Sequence, residues 1–142
     1  MSARRIILLV EDNPRDIELT IARLVESGVD AEVVVLNDGE QALDYLYRRG
    51  QFRLRGPEEP FIIFLDIKMP KVSGLEVLEN LRKNAQWLPI PVVLITSSRE
   101  EQDLARAYEF GADGYLIKPV KAARLPEVIE SSIRAAAARV PR

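Results

Sequence analysis

The sequence predicts an α/β protein in which helices cover both faces of a five-stranded parallel sheet. Short apolar segments alternate with longer amphipathic segments along the chain. Three of the short segments are continuously apolar, which is typical of strands that are buried on both faces. The resulting order, βαβαβαβαβα, predicts a doubly wound sheet with right-handed crossovers.

The predicted strands are rich in β-branched and aromatic side chains, which favour extended structure. They are Ile6–Val10, Ala31–Leu36, Phe61–Leu65, Val92–Ile95 and, more weakly, Gly114–Ile117. The first, third and fourth of these are the continuously apolar segments, so we expect helices on both sides of them.

Small polar residues suited to helix N-caps precede four of the predicted helices. They are Asn13, which is followed by Pro14, then Asn37 or Asp38, Ser73, and Ser97 or Ser98. We expect the first helix to end at Gly28, the second near Arg49 and the fourth at Gly111. The fifth helix is predicted from an apolar face formed by Leu125, Val128, Ile129 and Ile133. The segment Gly50–Pro60 is rich in Gly and Pro and is predicted to be a loop.

The composition excludes several kinds of function. The 142 residues include 20 Lys and Arg, 22 Asp and Glu, and neither Cys nor His. The chain therefore cannot form a disulfide, a cysteine zinc site, a Ser–His–Asp triad or a phosphohistidine of its own. The net charge of −2 argues against a nucleic-acid-binding surface, which is usually basic.

The length suits a single domain. We expect a core of about residues 4–134, followed by a short C-terminal tail over residues 135–142. The longest apolar runs are about five residues, too short to span a bilayer, and no long apolar segment follows Arg4 and Arg5 as in a secretory signal. We therefore expect no membrane partner and a cytoplasmic location.

Polar side chains stand where the predicted strands end, and ligands of open α/β sheets bind at those carboxyl ends. In chain order they are Glu11 and Asp12, Asp66, Thr96, and Lys118. If the first and third strands are neighbours, the carboxylates converge, and each pair at about 4 Å repels by roughly 4 kcal/mol unless a cation compensates. Carboxylate oxygens suit Mg²⁺, and Lys118 and Thr96 add a positive charge and a hydroxyl group. The combination predicts a site that stabilises a phosphoryl group during transfer.

Four longer motifs surround these residues. They are LVEDNP (Leu9–Pro14), FLDIKMPKVSG (Phe64–Gly74), LITSS (Leu94–Ser98) and GADGYLIKPV (Gly111–Val120). Together the motifs resemble those of the receiver domain of two-component response regulators, and the resemblance covers about residues 4–134. It implies a flavodoxin-like fold and a phosphorylated signalling switch rather than an enzyme that acts on a separate substrate.

The resemblance also implies a role for each residue of the site. Asp66 is then the phosphoacceptor, and Thr96 and Lys118 contact the phosphoryl oxygens. The implied Mg²⁺ ligands are Glu11, Asp12, Asp66 and the backbone carbonyl of Lys68. Thr96 and Tyr115 form the switch, in which Tyr115 turns inward as Thr96 moves toward the phosphate. The Lys118–Pro119 peptide is expected to be cis, which an X–Pro bond allows.

The partner that the resemblance implies is a sensor histidine kinase. The segments Gly50–Pro60 and Asn84–Pro91 resemble a subgroup of stand-alone receivers paired with phytochrome-like or hybrid sensor kinases. In the family, the positions of Lys68 and Ser98 tune the lifetime of the phosphate. The fourth helix, fifth strand and fifth helix form the usual output and dimer surface, so a homodimer through this face is expected. Its charged residues here are Arg99, Glu101, Arg106, Lys121, Arg124 and Glu127.

Three other functions fit the sequence less well. A nucleotide- or flavin-binding protein would need a glycine-rich phosphate loop, which the seven glycines do not form. A magnesium-dependent phosphohydrolase would place a second carboxylate two residues after its nucleophile, where this chain has Lys68. A phosphorylation-independent binding module on the receiver fold would usually lack an acid or the lysine of the site, and this chain keeps them.

Overall fold

The architecture is a parallel sheet with helices on both faces, as the sequence predicts. A computed structural model of the chain describes residues 5–97 and 101–140, and these contain five strands and five α-helices. The strands are β1 Ile6–Val10, β2 Glu32–Leu36, β3 Ile62–Asp66, β4 Val92–Thr96 and β5 Gly114–Ile117. The helices are α1 Pro14–Glu26, α2 Gly39–Leu46, α3 Gly74–Arg82, α4 Glu101–Glu109 and α5 Leu125–Arg139. Short 3-10 turns occupy Gly50–Phe52, Ala85–Trp87 and Ala122–Arg124.

The order of the strands determines where polar residues can meet. All neighbouring strands are parallel, and their order across the sheet is β2-β1-β3-β4-β5. The chain moves outward from β1 to β2 and then returns to the other side of β1, which makes the β1/β3 junction a topological switch point. Val10 at the end of β1 pairs with both Leu36 and Leu65, so these strands end at nearly the same level.

Two apolar layers cover the faces of the sheet. Side chains alternate between the faces along β1, because successive residues of a strand point in opposite directions. Leu8 and Val10 pack in the layer formed with α2, α3 and α4, whereas Ile7 and Leu9 pack in the layer formed with α1 and α5. These buried layers explain why the sequence of β1 is continuously apolar. In the described part of the chain, no helix has the length and apolar character needed to cross a membrane.

The predicted N-caps are confirmed for three helices. The Asn13 side chain accepts hydrogen bonds from the first backbone N–H groups of α1, and Ser73 accepts one at the start of α3. Asp38 rather than Asn37 caps α2, since its carboxylate accepts a hydrogen bond from the backbone of Gln41 at 2.8 Å. Ser98 lies outside the described residues, so the cap of α4 stays a prediction.

Several element ends differ from the prediction. β2 and β3 each begin one residue later, and α2 ends at Leu46 rather than near Arg49. Just after α2, Arg48 adopts a left-handed backbone conformation with φ of 55°, which does not continue a helix. Asp66 and Thr96 are the last residues of β3 and β4, because both still pair with the neighbouring strand.

The fifth helix continues through residues 135–139, which the sequence places in a tail. Its last residue, Arg139, binds the Asp113 carboxylate in the loop before β5. The same guanidinium donates to the backbone carbonyl of Leu88 at 2.9 Å. These contacts tie the end of α5 to the loops that precede β4 and β5.

Candidate functional site

Three carboxylates meet at the carboxyl edge of the sheet. One carboxylate oxygen from each of Glu11, Asp12 and Asp66 lies within 4.8 Å of the other two. Glu11 and Asp66 are only 2 % and 6 % exposed, whereas Asp12 faces solvent. The sequence predicted that these carboxylates converge if the first and third strands are neighbours. β1 and β3 are neighbours, and the carboxylates do converge.

Backbone hydrogen bonds hold the buried Glu11 side chain. The Glu11 N–H continues the sheet by donating to the carbonyl of Leu36 at 2.9 Å. One carboxylate oxygen of Glu11 accepts hydrogen bonds from the backbone N–H groups of Asp12 and Asn13 at 3.1 and 3.2 Å. The other oxygen remains directed toward the site, where it contacts Lys118.

The ammonium group of Lys118 lies among these acids. Its Nζ is 2.7 Å from Glu11 Oε1, 3.1 Å from Asp66 Oδ2 and 2.8 Å from Asp16 Oδ2. The Lys118 backbone N–H donates to the carbonyl of Thr96 at 2.8 Å, and the Lys118–Pro119 peptide is cis, as the resemblance implies. Lys118, which directly follows β5, thus completes a site whose acids lie at the ends of β1 and β3 and in the first turn of α1.

The electrostatics of the site reflect crowded, partly buried carboxylates. Burial raises the pKa of Glu11 to about 7, the Lys118 hydrogen bond opposes this rise, and the neighbouring Asp66 adds to it. Burial lowers the pKa of Lys118, but hydrogen bonds to Asp16, Glu11 and Asp66 outweigh burial and raise it above its ordinary value. The lysine is therefore fully charged at neutral pH, and its ammonium group offsets the negative charge of several carboxylates.

The loop between β3 and α3 closes tightly over Asp66. The Lys68 backbone N–H donates to Asp66 Oδ1 at 3.2 Å, while its side chain is exposed. A Cβ at Gly74 would lie 2.0 Å from the Asp66 carbonyl oxygen, so only glycine fits there. The structure thus brings Lys68 next to Asp66, and the predicted role of its carbonyl toward a metal stays a prediction.

Thr96 lies on β4, the strand next to β3, and Tyr115 lies on β5, the edge strand beyond β4. Thr96 is buried at the end of β4 and pairs with Ile117 of β5. Tyr115 pairs with Leu94 and is half-buried, packed against the layer that contains α2, α3 and α4. Their location agrees with the positions that the sequence predicts, and their movement as a switch stays a prediction.

Asp16 is the site residue that the sequence did not predict. It lies in the first turn of α1, and its side chain is 32 % exposed. Acidic residues are common in the first turn of a helix, where the helix dipole favours them. Nothing in the spacing therefore separated Asp16 from an ordinary surface acid, although it contacts a lysine 102 positions away in the chain.

An open groove of about 630 Å³ borders the site. Asp12 and Lys68 line it near the carboxylates, and Arg106 and Phe110 line it at α4. A separate cavity of about 800 Å³ lies at the amino ends of the strands, between Arg5, Phe61 and Ile129, and holds none of the predicted site residues. The chemistry of the lining, rather than the volume, identifies the functional edge of the sheet.

Comparisons with known proteins identify the family to which the chain is similar. Residues 7–130 match the family model of the response regulator receiver domain. Over 114 residues the chain is 37% identical to the response regulator Rcp1 of Synechocystis sp. (strain ATCC 27184 / PCC 6803 / Kazusa), covering 80% of this chain and 76% of Rcp1. The Mn(2+)-bound crystal structure of response regulator Rcp1 superposes with a TM-score of 0.74 at 33% identity, covering 92% of this chain and 90% of that one.

Two further solved structures are similar over most of their length. The bacteriophytochrome response regulator AtBRR has a TM-score of 0.85 at 46% identity, covering 92% of this chain and 94% of that one. The phosphorylated cyanobacterial phytochrome response regulator RcpA has a TM-score of 0.76 at 34% identity, covering 90% of each chain. The fold and the sequence thus point to the same group of proteins.

Proposed function

Because the chain belongs to the response regulator receiver domain family of two-component signalling, we propose that it accepts a phosphoryl group on Asp66 from a histidine kinase. The family is a signalling rather than a catalytic one, and its receiver domains accept signals from histidine kinases. The observation that carries the proposal is the buried Asp66 carboxylate, which contacts the Lys118 ammonium beside two further acids. The phosphorylated state of the relative RcpA supports it.

In the proposed reaction an oxygen of Asp66 attacks the phosphorus of a phosphohistidine. The new P–O bond makes an acyl phosphate, the P–N bond breaks, and the imidazole leaves with the electron pair and takes up a proton. The chain has no histidine, so the phosphohistidine belongs to another protein. Hydrolysis of the acyl phosphate by water restores the carboxylate of Asp66.

The donor set of the site fits a divalent cation. Carboxylate oxygens are hard ligands, and Mg²⁺ commonly takes one or two of them together with waters and phosphate oxygens. Glu11, Asp12 and Asp66 would hold the ion, with the backbone carbonyl of Lys68, and the Mn(2+)-bound form of the relative Rcp1 supports this assignment. We propose Mg²⁺, which would neutralise charge on the phosphoryl oxygens during transfer.

Lys118 and Thr96 would bind the phosphoryl group, and Thr96 and Tyr115 would change conformation when it is bound. The Lys118 ammonium, fully charged at neutral pH, would pair with a phosphoryl oxygen. Thr96 would donate its hydroxyl to another oxygen, and Tyr115 would turn inward into the space that Thr96 leaves. Because Thr96 and Tyr115 lie on the adjacent strands β4 and β5, we expect a shift of Thr96 to change the packing of Tyr115.

The test is incorporation of acid-labile phosphate in the presence of Mg²⁺ and a small phosphodonor. We expect the wild type to be labelled, Asp66→Asn to be unlabelled, and Asp30→Asn, which changes an exposed acid near the opposite edge, to be labelled normally. Labelling of Asp66→Asn at the wild-type level would contradict the proposal. A folded wild type that takes no phosphate would favour a phosphorylation-independent binding module.

The similarity to AtBRR and RcpA supports a phytochrome-like sensor kinase as the partner. For output we propose contacts with other proteins, including a homodimer through the face of α4, β5 and α5. Arg106, Lys121, Arg124 and Glu127 are exposed on this face, whereas Arg99 and the side chain of Glu101 lie outside the described residues. Light scattering with and without a phosphate analogue tests the dimer, and a monomeric mass in both states would contradict it.

A further inference from the structure

The structure assigns a role to Asp16 that rests on the proposed function: we propose that Asp16 is a positioning residue for Lys118. A lysine ammonium has three N–H donors. Among the described residues, the Lys118 Nζ has one carboxylate partner for each donor, namely Glu11, Asp16 and Asp66, at 2.7, 2.8 and 3.1 Å. The ammonium is therefore saturated before any phosphoryl group arrives.

The three partners differ in what a metal would do to them. Glu11 and Asp66 belong to the cluster that can hold a cation, and their oxygens would turn to the ion. Of the carboxylates described around Nζ, Asp16 is the one outside that cluster. When the metal is bound, Asp16 is thus the acid that remains to keep the ammonium directed into the site.

Asp16 is well placed for this task because its own position is restrained. Its backbone N–H donates to the Asn13 side chain at 3.2 Å, so the residue lies in the capped first turn of α1. Its carboxylate also lies near the amino end of that helix, which stabilises negative charge. The acid can hold Lys118 without help from the metal ligands.

Positioning and simple charge have opposite effects on the reaction. If Asp16 only added negative charge, its removal would lessen the repulsion of an anionic phosphodonor, and phosphorylation at saturating Mg²⁺ would become faster. If Asp16 holds the ammonium, its removal leaves Lys118 misplaced, and the rate at saturating Mg²⁺ falls by about tenfold. The affinity for Mg²⁺ weakens by only about two- to threefold in either case, because the lost charge is partly solvated.

The first experiment measures the rate of phosphorylation at saturating Mg²⁺. Asp16→Asn and Asp16→Ala are compared with Glu18→Gln, which removes an exposed charge from the same helix. We expect a slower maximal rate for both Asp16 variants, an unchanged rate for Glu18→Gln, and recovery to within about threefold of the wild type for Asp16→Glu. A maximal rate for the Asp16 variants equal to or above the wild-type rate would overturn the inference.

A second measurement needs no phosphodonor. The ¹⁵Nζ resonance of Lys118 in the Mg²⁺-loaded protein is expected to be visible in the wild type and broadened by water exchange in Asp16→Ala. Equal protection in both proteins would show that Asp16 does not hold the ammonium. If the wild type takes no phosphate on Asp66, the proposed function fails, and this resonance still decides the role of Asp16.

Discussion

Replacing Asp113 by asparagine is expected to destabilise the fold by about 3–5 kcal/mol, because it removes the charge that two arginines share. Asp113 Oδ2 is 3.0 Å from Arg82 Nη2 and 2.9 Å from Arg139 Nη2. The same oxygen accepts a hydrogen bond from the Val92 backbone N–H at 2.9 Å, and the other oxygen binds Arg139. The carboxylate therefore joins the ends of α3 and α5 to the start of β4.

The size of the effect follows from burial. The side chains of Asp113 and Arg82 are 2 % and 9 % exposed. Burial, and then the charge of Arg139, lower the pKa of Arg82 to about 10, and Asp113 is the group that opposes this lowering. An asparagine keeps the shape but has a single acceptor oxygen, so an amide N–H would face guanidinium donors. Breaking a buried pair in this way typically costs about 3–5 kcal/mol, or roughly 10–15 °C in melting temperature.

The assay is urea unfolding followed by fluorescence of Trp87, the single tryptophan, which is fully buried. The matched control is Glu130→Gln, which breaks an ion pair with Arg134 on the exposed side of α5 and is expected to cost less than about 0.5 kcal/mol. In the double variant with Arg139→Gln the two losses are expected to be less than additive, since removing the arginine relieves the excess positive charge.

The refuting result is an Asp113→Asn protein with a free energy of unfolding within about 1 kcal/mol of the wild type and an unchanged urea slope. Such a result would mean that water or a neighbouring carbonyl replaces the carboxylate at little cost. The ion pairs of Asp113 with Arg82 and Arg139 would then form as a result of folding without adding to the stability of the fold.

Three further outcomes are expected. Millimolar Mg²⁺ should raise the melting temperature, because binding adds about 1.4 kcal/mol to the free energy of unfolding when the free ion is about tenfold above its dissociation constant. Asp12→Asn should reduce this rise, and an unchanged melting temperature in the wild type would count against the metal cluster. Gly74→Ala should lower the free energy of unfolding by about 3 kcal/mol, because its Cβ meets the Asp66 carbonyl. Gly28→Ala, at φ +80° with open space around it, should lower it by about 1 kcal/mol. Equal losses in urea unfolding would contradict the close approach at Gly74. Thr96→Ala should still take phosphate on Asp66 but lose the change in the Tyr115 ring resonances, and a wild-type response would exclude Thr96 from the switch.

Much of the fold could be predicted because its signals are local. Continuous apolar segments located the strands, and the caps Asn13 and Ser73 located the beginnings of α1 and α3. The ends of elements were harder, because pairing across the sheet extends β3 to Asp66 and β4 to Thr96, and a left-handed residue at Arg48 follows α2. These ends depend on neighbouring strands and on backbone angles that the pattern of residue types does not encode.

The carboxylate cluster could be predicted for a similar reason. The carboxyl ends of parallel strands share one edge, so the residues at the ends of β1, β3 and β5 place Glu11, Asp66 and Lys118 at that edge, and the pairing of β1 with β3 brings the acids together. The contact between Asp16 and Lys118 could not be predicted in this way, because a helix residue can turn its side chain toward the site or toward solvent. Only the packing of α1 against the sheet decides which direction it takes.

The sequence by itself therefore determined the order of elements, the edge of the sheet that carries the chemistry, and the main acids and the lysine of the site. Tertiary structure alone decided which acids share the Lys118 ammonium and that Arg139, at the end of α5, is held by Asp113. The physical reason is the range of the forces. Apolar periodicity and capping act over a few residues, whereas an ion pair forms only where the fold has already brought distant side chains within about 3 Å.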